Sequence, residues 1–204
     1  MVRKTKAEAQ ETRQQILDAA EQVFATRGVA RTSLQDIAGA AGVTRGAVYW
    51  HFQDKADLFE AMLNRVVMPC ESALEQALAN PPESTLSSLL DMVLVPFEAL
   101  STNAQTQRVF TVAMHYTEYT GDMAIAQQRH NDSLAGFIEQ MHSVMLRGQA
   151  AGQIRPDLDA RGAAIGLFAL VDGLMRQWTL APDSFDLLQV GRQAALSYLS
   201  GLQP

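Results

Sequence analysis

The chain has 204 residues, 48% hydrophobic and 19% charged, which excludes a disordered or fibrous polypeptide and leaves enough apolar matter for a substantial core. No apolar run approaches the roughly 20 residues needed to cross a bilayer, and the basic start MVRKTKAEAQETRQQ lacks the apolar core of a secretory signal, so a soluble cytoplasmic protein is expected. The formal net charge of −6 is unevenly divided: residues 1–52 hold seven Lys/Arg against five Asp/Glu, and residues 53–204 hold nine against seventeen.

Helical spacing runs the length of the chain without β-alternation, which predicts an all-α protein of about nine helices. The first helix is expected over about Lys6 to Arg27, with Ile16, Ala20, Val23 and Phe24 on one face and Gly28 at its end. Ahead of it, Arg3, Lys4 and Lys6 read either as a basic arm for phosphates or a minor groove, or as a solvated terminus. From Thr32 to Phe52, TSLQDIAGAAGVTRGAVYWHF reads as two short helices around a glycine turn. Thr32 and Gln35 have the spacing of a capping box, while Leu34, Ile37 and Ala38 supply an apolar face. The helix stops near Ala41-Gly42, and Thr44 has the chemistry to cap a second one, so the unit is a helix-turn-helix candidate.

The second helix turns Val48 and Phe52 inward and leaves Thr44, Arg45, Gly46, Ala47, Tyr49 and His51 outward. Small residues permit close approach to a groove, and hydroxyl, imidazole and guanidinium groups donate to phosphate oxygens. An arginine near the helix start also has the geometry to bond guanine O6 and N7. Thr32 and Lys55 flank this face and complete the candidate DNA-binding set. A glycine-containing helical hairpin also occurs in proteins that do not bind DNA, so the pattern alone leaves both readings open.

Asp54 is placed to cap a long helix to about Ala79, ended by Asn80-Pro81-Pro82. The single cysteine, Cys70, excludes an internal disulfide and falls in its apolar series with Phe59, Leu63, Val66, Val67, Leu74 and Leu78, as a small hydrophobe or a pocket residue. Further helices are expected at about Ser84–Leu100, interrupted by a kink at Pro96, and at Gln105–Tyr116, Asp122–Ala151, Ala160–Leu180 and Ser184–Leu202.

The run TRQQILDAAEQVFATRGVARTSLQDIAGAAGVTRGAVYWHFQDKADLF, within about Thr12 to Leu63, resembles the amino-terminal DNA-binding domain of the tetracycline-repressor (TetR) family of bacterial transcription regulators. More loosely, VDGLMRQWTLAPDSFDLL resembles the multidrug-efflux repressor branch of that family. The resemblance implies a three-helix DNA-binding domain over residues 1–52 and a ligand-binding and dimerisation domain over 53–204. It further implies a homodimeric repressor on a near-palindromic double-stranded operator, without a cofactor, released by a small hydrophobic or aromatic ligand and controlling an efflux operon.

Residues suited to such a ligand are Met92, Phe110, Met114, Phe137, Met141, Phe168, Val171 and Met175, with Cys70, although Met and Phe at helical spacing equally fill a core. Asp172 sits in the apolar run GLFALVDGLM and needs a partner, either polar groups of a ligand or a neighbouring arginine. His115, Tyr116 and Glu118 read as a partly exposed surface cluster. A two-fold interface is expected on the last two helices through residues such as Ala163, Leu167, Leu170, Leu187, Leu188, Ala194, Ala195 and Leu199, some of which must face their own core.

Two rival readings follow from the same residues. Glu139 and His142 form one Glu-x-x-His pair, the element of a helical-bundle metal enzyme, but such a bundle uses two pairs and further glutamates. The helix-turn-helix itself is equally compatible with a DNA-binding regulator controlled by a protein partner.

Overall fold

A computed structural model describes residues 6–79, 84–118 and 121–204, excluding the side chains of 68–70, 73–74, 76–79, 122, 129 and 183. The proposed arm residues Arg3 and Lys4, the Asn80-Pro81-Pro82 break and the Cys70 side chain lie outside this description. The described residues form nine α-helices: α1 Lys6–Arg27, α2 Leu34–Ala40, α3 Arg45–His51, α4 Lys55–Ala79, α5 Thr85–Thr102, α6 Ala104–His115, α7 Ala124–Ala150, α8 Ala160–Leu180 and α9 Leu187–Ser200. Short 3-10 turns at Gly121–Met123 and Pro182–Ser184 precede α7 and α9. The last helix therefore starts at Leu187, later than its sequence suggests, because Pro182 opens a separate turn and the Asp186 carboxylate accepts from Gln189 N. Pro96 lies inside α5 without ending it.

The chain divides into two compact units, one of residues up to 66 together with 108–129, the other of 67–107 and 130–204. In the first unit, Ile16, Leu17, Ala20 and Phe24 of α1 are buried with Ile37 and Ala38 of α2, Val48 of α3, and Leu58, Phe59 and Met62 of α4. Phe24 and Phe59 meet edge-on at 6.2 Å, an arrangement that the aromatic quadrupole favours. Gly28, at φ +77°, turns the chain out of α1, and Val29 N then donates to the Tyr116 carbonyl at the end of α6.

The first unit also buries a carboxylate. Glu21 is 2% exposed, and Arg65 of α4 donates to it at 2.8 Å while reaching Asp18 at 2.7 Å. Arg108 of α6 approaches the other Glu21 oxygen at 3.6 Å. A buried carboxylate is tolerated only when its charge and lone pairs are met in this way, so the network ties α1, α4 and α6 together.

In the second unit α5 packs on α9, and α8 on α9 and α5. Gly191 makes the first contact possible: a Cβ there would lie 2.3 Å from Phe97 Cε2. Gly166 lies beneath Tyr198, whose hydroxyl donates to the Ala163 carbonyl at 2.8 Å. Burial pushes the Tyr198 phenol above its ordinary pKa.

Some of the residues anticipated for a two-fold interface on α8 and α9 had to face their own core, and burial separates them from the rest. Ala163, Leu167, Leu187, Ala195 and Leu199 are buried within their own chain, and Leu170, Leu188 and Ala194 are half-buried. The large apolar side chains of these helices left exposed are Ile165 and Leu180 of α8 and Val190 and Leu196 of α9.

Replacing Arg65 by Met should destabilise the protein by about 3 kcal/mol, because Glu21 loses its nearest cation while remaining buried. The double variant Glu21→Gln/Arg65→Met should cost less than Arg65→Met alone. Urea unfolding of the wild type, both single variants and the double variant measures the difference, and a simple sum of the single effects would contradict the account.

Candidate nucleic-acid interface

The two-helix unit begins one residue later than the spacing of Thr32 and Gln35 suggests. Ser33, in extended backbone, is the N-cap of α2: its hydroxyl accepts from Asp36 N at 3.2 Å, and the Asp36 carboxylate accepts from Ser33 N at 2.9 Å. Thr32 is buried, and its hydroxyl donates to the Gly28 carbonyl at 2.7 Å, so it closes the preceding turn rather than capping the helix. Hydrogen bonds from Ser33, followed by the Arg27 guanidinium 3.2 Å away, hold the exposed Asp36 carboxyl below the usual carboxylate range.

After α2, Gly42 at φ +65° provides the left-handed turn, and Gln15 of α1 donates to the Ala41 carbonyl at 2.8 Å, fastening the turn to α1. The Thr44 hydroxyl oxygen then accepts from Ala47 N at 3.2 Å, which leaves its hydrogen to donate outward. Val48 and Phe52 are buried as their four-residue spacing predicts, and the Arg13 guanidinium lies 5.1 Å from the Phe52 ring centre.

That anchoring exposes Thr44, Arg45, Gly46 and Tyr49, with Ala47 and His51 at the margin. A Cβ on Gly46 would meet only Thr44 Oγ1, at 3.9 Å, so packing within the chain does not require glycine there. Arg45 Nη2 donates to the Tyr49 hydroxyl at 3.1 Å, and its guanidinium carbon stands 5.2 Å from the same ring's centre. Both residues line an open groove of about 620 Å³ together with Arg31, Ser33, Gln35 and Lys55. The Asp54 carboxylate accepts from Asp57 N at 2.8 Å and caps α4 at the groove's edge, as its sequence predicts.

Three participants escape a local reading. Trp50 is 72% exposed and stacks edge-on to His51 at 4.5 Å, so a large ring stands on the surface of α3. Its position between two outward residues carried that signal, masked by its apolar character. Arg31 and Ser33 enter the groove from the turn before α2, where only the assembled hairpin brings them beside Arg45.

The residues considered for a ligand fall in different places. Phe110 and Met114 belong to the first unit and are half-buried. In the second, Met92, Met141, Val171 and Met175 are buried, while half-buried Phe137 and Phe168 meet edge-on at 6.1 Å. Asp172 is 28% exposed at its side chain and accepts from Arg176 Nε at 2.7 Å, one turn along α8. Its partner is thus an arginine of its own helix, so the desolvation cost suggested by the apolar run is relieved. His130 lies in the same neighbourhood, its pKa lowered first by burial and then by Arg176, against the opposing pull of Asp172.

The Glu139 and His142 pair closes at 3.1 Å, but the second Glu139 oxygen takes Arg161 at 3.0 Å. Among the described residues, no group of three or more His, Cys, Asp or Glu side chains is placed to hold a metal ion. Likewise, no described helix is long and apolar enough to cross a membrane.

An anchored helix-turn-helix with a hydrogen-bonding outward face, in an all-helical chain, defines a helix-turn-helix DNA-binding regulator. Residues 16–62 match the family model of bacterial regulatory proteins, tetR family, and residues 84–204 match the C-terminal region of MAATS-type transcriptional repressors. The chain is 44% identical to the HTH-type transcriptional regulator TtgR of Pseudomonas putida, covering 92% of this chain and 90% of that one. To AcrR of Shigella flexneri, another HTH-type transcriptional regulator, it is 38% identical over 94% of this chain and 89% of that one. In structure it is similar to NalD, the secondary repressor of the MexAB-OprM multidrug efflux pump in Pseudomonas aeruginosa. That match has a TM-score of 0.88 and 39% identity, covering 97% of this chain and 98% of NalD. A triclosan complex of SmeT matches with a TM-score of 0.79 at 30% identity, covering 94% of this chain and 91% of SmeT. The chain belongs to the TetR family of bacterial transcription regulators.

The local cap is testable by titration. Ser33→Ala removes the strongest influence on Asp36, so the Asp36 pKa should rise toward 3.8, its ordinary value, when followed by NMR. Because the folded pKa is depressed, the associated stabilisation is complete above the ordinary value and is lost as pH falls through the depressed one. Stability of Ser33→Ala should accordingly depend less on acid in that window, and an unmoved Asp36 titration would contradict this origin.

Proposed function

We propose that the chain is a sequence-specific, DNA-binding transcriptional repressor that leaves its operator when a small hydrophobic or aromatic ligand binds, and that it controls a multidrug efflux operon. The DNA half of this reading is carried by α3. The helix is held from behind by Val48 and Phe52 and offers hydroxyl and guanidinium groups outward, around a glycine that the chain's own packing does not require. Arg45 is the base-reading residue, while Thr44, Tyr49, His51 and Lys55 bond phosphates and Gly46 and Ala47 admit the groove. Thr32 supports the same surface from its buried position by shaping the turn beside it.

The ligand half is supported by relatives: NalD and SmeT are repressors of multidrug efflux pumps, and SmeT is known as a triclosan complex. In this chain the receptor is the second unit, using Phe137 and Phe168 with Met92, Met141, Val171 and Met175, and the Asp172–Arg176 pair for polar groups. Helix α4 supplies residues to both units without a break, so a ligand that favours one packing of the receptor shifts the equilibrium of the reading heads. Such a regulator works in the cytoplasm, where its DNA is.

Two copies act together, since paired reading helices on a near-palindrome require a two-fold dimer. The exposed apolar residues Ile165, Leu180, Val190 and Leu196 of α8 and α9 belong to the surface that the second copy covers as a four-helix bundle.

Two experiments test the reading. Arg45→Ala should cost ~1 to 3 kcal/mol of binding and relax the preference at one position per half-site, whereas Lys55→Ala should weaken all sequences alike. A binding-site selection in which Arg45→Ala keeps the full wild-type preference would remove the base-reading role. Ile165→Glu or Leu196→Glu should convert the dimer to a folded monomer, because each places a carboxylate in the apolar interface while remaining solvated in the single chain. Light scattering of a monomeric wild type, or of dimeric variants, would overturn the assignment of this face.

A further inference from the structure

We propose that Tyr49 is a positioning residue for Arg45, setting base preference through the guanidinium instead of serving only as a phosphate contact. The inference rests on the DNA-binding reading above and deepens it. Arg45 and Tyr49 are four apart on α3 and so share a face. Two contacts join them, the 3.1 Å hydrogen bond from Nη2 to the phenol oxygen and the approach of the guanidinium to within 5.2 Å of the ring centre. The hydrogen bond fixes the end of the side chain, and the ring face fixes its elevation above the helix.

Tyrosine suits the task because its phenol is neutral. A carboxylate at the same place would hold Arg45 more strongly, but would compete with a base for its charge and repel the phosphates. The phenol occupies one of the five guanidinium N–H groups, leaving the adjacent pair that bidentate recognition of O6 and N7 needs. Because the Tyr49 oxygen accepts from Arg45, the hydroxyl hydrogen remains free to donate to a phosphate. The same atom thus registers the helix on the backbone and orients the group that reads the base. Both side chains line the open groove, and Tyr49 is 46% exposed, so the pair stands on the face open to DNA.

The test is a binding-site selection from a randomised duplex DNA library, with the full-length wild type, Tyr49→Phe, Arg45→Ala and the double variant. A net hydrogen bond is worth roughly 2- to 12-fold in an equilibrium. Tyr49→Phe should therefore reduce the preference at the Arg45-dependent position by about that factor while leaving preferences elsewhere intact. Tyr49→Ala, which also removes the ring, should reduce it further. In the Arg45→Ala background, Tyr49→Phe should leave that position unchanged, because no guanidinium remains to be oriented. If Arg45→Ala relaxes one position but Tyr49→Phe lowers affinity equally for every sequence, Tyr49 is a phosphate contact alone and the proposal fails. If Arg45→Ala changes no preference, the base-reading assignment itself fails, and this inference with it.

Discussion

Helix α3 is only seven residues long, too short to persist in water without support. Its existence depends on the burial of Val48 and Phe52, and on a turn fastened by Gln15 to the Ala41 carbonyl. Once those two side chains enter the core of α1, α2 and α4, the helix has no rotational freedom left. Thr44, Arg45, Gly46 and Tyr49 then face outward together, so burial on one side assembles a face of hydrogen-bonding groups on the other. The orientation of these outward groups is thus a by-product of hydrophobic burial on the opposite side.

The buried charges of the first unit act at longer range. Glu21, Arg65 and Arg108 come from α1, α4 and α6, and the Tyr116 carbonyl accepts from the turn after α1. Residues 108–129 are thereby members of the unit that carries the helix-turn-helix. Helices α4, α6 and α7 each contribute to both units through an unbroken backbone. A change in how the second unit packs its helices therefore has covalent routes into the first, which is what ligand control of DNA binding requires.

The second unit shows how apolar patterning is shared between competing uses. Gly191 lets Phe97 approach the α9 backbone, and Tyr198 covers Gly166, so α5, α8 and α9 close on one another. Methionines 92, 141 and 175 lie in this interior, where a flexible thioether fills a core as readily as it accommodates a ligand. Ile165, Leu180, Val190 and Leu196 remain outside. At Asp172 the same economy appears: the carboxylate meets Arg176 one turn away, a pair that satisfies the isolated chain and still presents two opposite charges.

The sequence by itself determined the all-helical class, the extent of α1, the glycine turn at Gly42, the caps at Thr44 and Asp54, and the inward spacing of Val48 and Phe52. These are local matters, decided by periodicity, capping chemistry and backbone freedom within a few residues. It also carried the family resemblance, because the run from Thr12 to Leu63 keeps those local signals in order. Only the tertiary structure decided that Ser33 and not Thr32 caps α2, since both have suitable hydroxyls and burial of Thr32 settles the choice. It alone joined Arg65 to Glu21, 44 residues away, and brought residues 108–129 into the first unit. It alone decided which apolar residues of α8 and α9 enter the chain's own core and which stay exposed, because helical periodicity does not say what lies beside a face.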